Sequence, residues 1–161
     1  MRIGRKATAN AIAVLMLAAT VYVPAVRAQW ATAADAIPAA QLMQPDELNR
    51  TLHGPESARP LVLQVGSRML FDEAHIPGSV YAGPGSSDAG LNVLRDRVKA
   101  LPRGKFIVIY CGCCPWNRCP NVGPAYQMLH GMGFTQLKVL YIAQNFGTDW
   151  AGRGYPVDRG K

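Results

Sequence analysis

Outside one short stretch the chain has no cysteine: all four thiols lie between Cys111 and Cys119. No cysteine therefore stands near the N-terminus to carry a lipid anchor, and no second Cys-x-x-Cys pair lies far away in sequence, as structural zinc sites generally require. Also missing is a clustered basic stripe with interleaved aromatics, which argues against nucleic acid as a partner. The longest apolar run near the N-terminus, Ala11 to Val23, is roughly 13 residues against the ~20 that a membrane span needs. Internal repeats and low-complexity linkers are absent too, so one ordinary domain has to account for the chain.

What is present at the N-terminus reads as an export signal. Arg2, Arg5 and Lys6 precede the apolar run, and Val26-Arg27-Ala28 places small residues at the two positions a signal peptidase reads. Cleavage is expected after Ala28, leaving a protein without stable membrane association, periplasmic or secreted. Four of the 17 basic residues and none of the ten acidic ones leave with this segment, so the formal net charge falls from +7 to +3. An exported protein carries its thiols into an oxidising compartment.

Along the mature chain, Gln29 to Ala40 is an alanine-rich lead-in, with a short edge strand expected at Ala36-Ile37. Pro45-Asp46-Glu47 opens a helix in the usual way, with proline in the first turn and acids at the positive end of the dipole, and Gly54-Pro55 ends it. Leu61 to Val65 is an almost wholly apolar strand. A short helix is expected over Arg68 to Glu73, then a turn at His75-Ile-Pro-Gly78, a brief strand at Ser79 to Tyr81, and a loop from Gly83 to Gly90. Leu91, Leu94, Val98 and Leu101 recur at helical spacing, Phe106 to Tyr110 is a second apolar strand, and Leu137 to Ile142 a third. Strand and helix alternate throughout, the pattern of a parallel sheet covered on both faces.

The cysteines sit where one of these periods gives way to another. Phe106 to Tyr110 reads as a strand buried on both faces, and Val122, Ala125, Tyr126, Leu129 and Met132 mark one face of a following helix. Cys111 thus stands at the carboxyl end of a strand, before a loop that leads into a helix N-terminus, where open α/β sheets bind ligands. Free backbone N–H groups, the helix dipole and the nearby Arg118 all favour thiolate over thiol there, and the thiolate is the nucleophile.

Three separated patterns then resemble the rhodanese (sulfurtransferase) family: PLVLQVGSRMLFDEAHIPGS, with HIPG in register behind a buried strand; IVIYC, like the strand ending in that family's active-site cysteine; and GF, LKVLYI, F, DW and GYPV in order toward the C-terminus. The resemblance implies a single rhodanese-like α/β domain of about five parallel strands flanked by helices on both faces. It also implies a double displacement, needing no cofactor and no metal, in which a thiolate takes a sulfane sulfur from a small sulfur-containing anion, becomes a persulfide and hands the sulfur to a thiol or other nucleophilic acceptor. Cys111 falls on the family's catalytic cysteine, with Gly112, Trp116, Asn117 and Arg118 of its loop as substrate-binding candidates. The chain departs from the family at Gln64, where an aspartate is usual, at Gly66, where an arginine is usual, and in a loop about twice the usual length.

Those extra residues leave other chemistries open. Cys113, Cys114 or Cys119 could serve as a resolving thiol or as the nucleophile itself. Cys111 and Cys114 form a Cys-x-x-Cys, so a thiol–disulfide redox centre fits, as do disulfides that clamp the loop or a metal-binding module on the same scaffold without transferase activity. A cysteine, five residues and an arginine would suggest a phosphatase-like loop, but six residues separate Cys111 from Arg118. His75 is expected to hold its turn, His53 and His130 to sit at helix C-termini, and Phe146 and Trp150 to be core. The expected organisation is a signal peptide over 1–28, a lead-in over 29–35, the domain over 36–157 and a tail over 158–161.

Overall fold

The computed structural model describes residues 37–160; the expected signal segment and its cleavage point lie outside them. In chain order the elements are β1 Leu42–Met43, α1 Pro45–His53, β2 Leu61–Gln64, α2 Arg68–Glu73, β3 Val80–Tyr81, α3 Asp88–Val98, β4 Ile107–Tyr110, α4 Val122–Gly131, β5 Leu137–Leu140 and α5 Phe146–Asp149. The five strands form one parallel sheet in the order β1-β5-β4-β2-β3.

Alternation along the strands divides the interior into two cores. Across the sheet, Val80, Leu63, Ile109, Val139 and Leu42 stand in register, and they pack with Leu94 and Val98 of α3 and Ala125 and Leu129 of α4. One residue out of phase, Val62, Val108, Tyr110 and Leu140 face the other way, onto Leu48 of α1, Ile76 and Trp150. Such large side chains contribute roughly 1.5–3 kcal/mol each when fully buried, and Leu48, Ile76, Leu94 and Trp150 are all sealed from solvent. Trp150 Nε1 still finds a partner, donating to the Pro156 carbonyl at 2.8 Å. Pro124 falls in the first turn of α4, where an N–H would have no helical acceptor, so the helix tolerates it.

Two expectations at element ends are corrected. The edge strand lies at Leu42–Met43: Ile37 is buried in a bend, Ala36 lies outside the described residues, and pairing is set by Leu42 against Val139. Helix α3 starts at Asp88, inside the segment expected as loop, because the Ser87 side chain caps it by accepting from Gly90 N at 3.1 Å. Beyond Val157, His75 and Asp158 exchange backbone hydrogen bonds of 2.9 Å, and Gly160 N donates to the Asp72 carbonyl at 2.7 Å. His75 itself holds its turn, donating from Nδ1 to the Phe71 carbonyl at 2.7 Å and stacking on the Phe71 ring at 4.0 Å.

Strand order decides where the site lies. From β2 the chain runs outward to β3, then returns past β2 to lay down β4 and β5 on its other side. The carboxyl ends of β2 and β4 therefore flank the point where the winding reverses, the crevice in which open parallel sheets bind ligands.

Candidate functional site

Cys111 directly follows β4, and the residue is 4% exposed. Two neighbouring contacts fix this strand end. Buried Gln64, at the end of β2, donates from Nε2 to the Cys111 carbonyl at 3.3 Å and accepts from Gly66 N at 3.1 Å. The hydroxyl of Tyr110 accepts from Ile76 N at 3.2 Å and meets Ser79 Oγ at 3.2 Å, tying the histidine turn to β4; burial pushes that phenol up to about 12. A Cβ on Gly66 would stand 2.9 Å from Cys111 Sγ, so the position that carries an arginine in the rhodanese pattern is here kept bare for the thiol.

Beyond Cys111 the chain reverses at Gly112, whose φ of +75° is open to glycine at little cost. A side chain there would also strike Phe146 Cβ at 2.8 Å. The reversal brings the next thiol back: Cys113 Sγ lies 3.0 Å from Cys111 Sγ, and Cys114 Sγ lies 3.2 Å from Cys113 Sγ. All four cysteines are free thiols, and Cys119 is buried in the core beneath the loop. The loop is pinned to the segment after β5 by Phe146 N donating to Gly112 O at 2.9 Å and Trp116 N to Ala143 O at 3.1 Å.

The residue that completes this group comes from the start of α4. Asn121, 6% exposed, donates from Nδ2 to Cys111 Sγ at 3.2 Å and reaches toward Cys113 Sγ at 3.8 Å. Its Oδ1 accepts from Ser86 N at 3.0 Å. A donor aimed at sulfur stabilises thiolate over thiol. Within the cluster the charge is unevenly held. Hydrogen bonding from Cys111 first, then from Cys119, keeps Cys113 far below the ordinary thiol range. The same bond to Cys113, with Cys119 and burial behind it, pushes Cys111 up. Burial, and then the bond to Cys113, push Cys114 up to about 12. One thiolate, on Cys113, thus stands among the thiols of Cys111, Cys119 and Cys114, which donate to it.

Cys111, Gly112 and Cys113 open onto a cavity of about 280 Å³ between the end of β4, α2 and α5. Leu70, Ala74, Phe146 and Ala151 supply its apolar wall, and among the described residues Glu73 is the only charged one that lines it. Of the loop residues expected to bind substrate, Gly112 lines this cavity; Trp116, Asn117 and Arg118 do not. They form a 3₁₀ turn on the outer side of the loop, where Trp116 packs on Tyr141 with ring centroids 5.0 Å apart and Arg118 is exposed. The loop amides of Trp116, Arg118 and Cys119 are engaged with carbonyl groups. Sequence reasoning did not find Asn121, Glu73 or Leu70 as site residues, and it read Gln64 only as a missing charge. Among the described residues no group of three or more His, Cys, Asp or Glu is arranged to hold a metal ion, and no helix is long and apolar enough to cross a membrane.

An open parallel α/β domain with a thiol at the end of its central strand defines the class of protein. No protein-family model and no curated protein sequence matches the chain. Solved structures do match it. The solution structure of the rhodanese-like domain of the Alr3790 protein of Anabaena sp. is similar over 74% of this chain and 79% of its own, with 20% identity and a TM-score of 0.54. The crystal structure of the Alr3790 protein aligns over 73% of this chain and 92% of its own, with 20% identity and a TM-score of 0.53. The BH2092 protein of Bacillus halodurans aligns over 73% and 75%, with 24% identity and a TM-score of 0.55. The domain has the rhodanese-like fold.

Proposed function

We propose that this domain is a sulfurtransferase, exported by the segment over 1–28, that accepts a sulfane sulfur on Cys111 and passes it on from a persulfide. The observation that carries the reading is the thiol pair Cys111–Cys113, with sulfurs 3.0 Å apart, at the floor of a cavity at the carboxyl end of β4. Asn121 donates into the pair, so the negative charge that a nucleophilic sulfur needs is supported before a donor arrives. Cys113 Sγ takes the proton of Cys111 Sγ across their 3.0 Å contact, the Cys111 thiolate so formed bonds to the sulfane sulfur, and the donor's own bond to that sulfur breaks, its electron pair leaving with the donor.

The test is intact mass of the reduced, desalted protein after exposure to thiosulfate or an organic persulfide. Acid quenching early in the exposure is expected to catch a gain of about 32 Da in wild type, mapped to Cys111 and absent from a folded Cys111→Ser protein. Full sulfur uptake by Cys111→Ser overturns the assignment. Export has its own check: N-terminal sequencing of protein recovered outside the cytoplasm begins at Gln29.

A second reading, a thiol–disulfide redox centre without transferase activity, is favoured by the 3.0 and 3.2 Å spacings along Cys111, Cys113 and Cys114. It predicts a loss of about 2 Da on oxidation and no gain from any sulfane donor.

A further inference from the structure

We propose that Cys113 resolves the Cys111 persulfide, so that the site releases hydrosulfide and does not only relay sulfur to an external acceptor. This rests on the sulfurtransferase reading given above. The geometry that carries it is local. Gly112 turns the chain back on itself, and Cys113 Sγ comes to lie 3.0 Å from Cys111 Sγ, closer than two sulfurs in van der Waals contact. Cys111 lines the cavity, so it takes up a sulfur from that side. Cys113 Sγ stands 3.0 Å from Cys111 Sγ, the atom that becomes the inner sulfur of the persulfide.

Attack at that atom has a defined balance. The Cys113 thiolate forms a bond to Cys111 Sγ; the bond between Cys111 Sγ and the outer sulfur breaks; the outer sulfur leaves with the electron pair as hydrosulfide. The sulfane sulfur is reduced by two electrons, and two cysteines are oxidised to the Cys111–Cys113 disulfide. A dithiol reductant then returns the pair to thiols by exchange. Two features favour this course over simple transfer. Asn121 Nδ2 stands 3.8 Å from Cys113 Sγ, so a donor to the Cys113 sulfur remains once Cys111 has become a persulfide and Cys113 has given up its proton to solvent. The pair is also covalently tethered, so attack by Cys113 competes with an external acceptor at a high effective concentration. Cys114 is one step further along the row, in contact with Cys113, and Cys119 does not line the cavity.

The experiment uses the mature chain, reduced with dithiothreitol, desalted without oxygen, and given one equivalent of cysteine persulfide. Hydrosulfide, free thiols and intact mass are followed together. Wild type is expected to release about one equivalent of hydrosulfide beyond the donor's own background, lose two thiols and end about 2 Da lighter. Cys113→Ser, a near-isosteric change at a half-exposed position, is expected to keep a persistent gain of about 32 Da on Cys111 and to release less than roughly one-tenth of the hydrosulfide in the same time. Cys114→Ser is expected to form the disulfide, showing that Cys111 and Cys113 suffice. A wild type that holds the extra sulfur without releasing hydrosulfide overturns the inference and leaves the transferase reading standing, as does release from Cys113→Ser at the wild-type rate. No uptake and no release in any of the proteins overturns the transferase reading itself.

Discussion

Asn121 Nδ2 donates to Cys111 Sγ at 3.2 Å. The orientation of this amide is fixed by its other end: Ser86 N–H can only donate, so Oδ1 must face it and the amino group must face the sulfurs. The side chain of Asn121 thereby joins the loop before α3 to the loop after β4. It does not cap its own helix, although it occupies the position where an asparagine commonly would.

Asn121→Asp keeps the acceptor for Ser86 but replaces the donor by an oxygen and adds a negative charge beside the sulfurs. The thiolate loses a hydrogen bond and gains a repulsive neighbour, and both changes raise the thiol pKa. The pH below which iodoacetamide labelling of the thiolate falls away is expected to move up in Asn121→Asp, by one pH unit for each unit of that rise. A wild-type pH profile of labelling in a folded Asn121→Asp protein would show that this amide does not hold the charge.

The cluster also predicts an unusual pH profile. An ordinary thiol, with a pKa of about 8.5, loses thiolate tenfold for each pH unit below that value. Cys113 is held far below it, by hydrogen bonding from Cys111 foremost, so its thiolate persists as the solution is acidified. Cys111 and Cys114 are shifted the other way and remain thiols. One fast label, on Cys113, is expected at a rate that stays flat from about pH 8 to about pH 5, with slower labels on its neighbours only in alkali. Mass mapping of briefly alkylated protein reads this directly, and a tenfold fall per unit across that range contradicts it.

How much of this was legible in the sequence depends on how far apart the determining residues lie. Leu61 to Val65 and Phe106 to Tyr110 announce buried strands by their own composition, and their place in the middle of the sheet follows. Strand β1 is only two residues long; nothing local marks Leu42–Met43, and its pairing with β5 across about a hundred positions creates it. The start of α3 was hidden by a glycine- and serine-rich segment in which one serine, Ser87, acts as a cap. The cysteine loop was visible at once, as was its place after a strand. Its companions were not, because Gln64, Glu73, Asn121 and Phe146 arrive from four different parts of the chain. Arg118 was the natural sequence choice for an anion site, but the 3₁₀ turn at Trp116–Arg118 carries it to the outer side of the loop.

Gly66 offers a test of packing at the thiol. An added Cβ would lie 2.9 Å from both Cys111 Sγ and Gln64 Nε2, and the Gln64 side chain is buried and engaged at both ends. Neither neighbour can swing away without giving up a buried hydrogen bond or moving the strand end. Gly66→Ala is therefore expected to cost roughly 1–3 kcal/mol of unfolding free energy in urea. It should also alter thiol labelling, because the crowded atom is the sulfur itself. A neutral effect on both would mean that the strand end relaxes freely.

Glu73 bears on which sulfur donor the cavity admits. Among the described residues it is the only charged one in the lining, and the Cys113 thiolate in the same lining has the same sign. Thiosulfate carries two negative charges and meets no arginine or lysine among the lining residues to offset them. An organic persulfide whose carbon skeleton is uncharged meets an apolar wall formed by Leu70, Ala74, Phe146 and Ala151. Removing the carboxylate should then help the inorganic anion selectively. Glu73→Gln is expected to raise the second-order rate of sulfur uptake from thiosulfate by about three- to tenfold at low salt, with the gain shrinking toward 1 M salt as screening shortens the reach of the charge. Uptake from the uncharged donor should change by less than about twofold, since no charge interaction is lost. Equal acceleration of both donors would place the effect of Glu73 in the shape of the cavity mouth and not in its charge. No change with either would remove Glu73 from the path that donors take to the thiol pair.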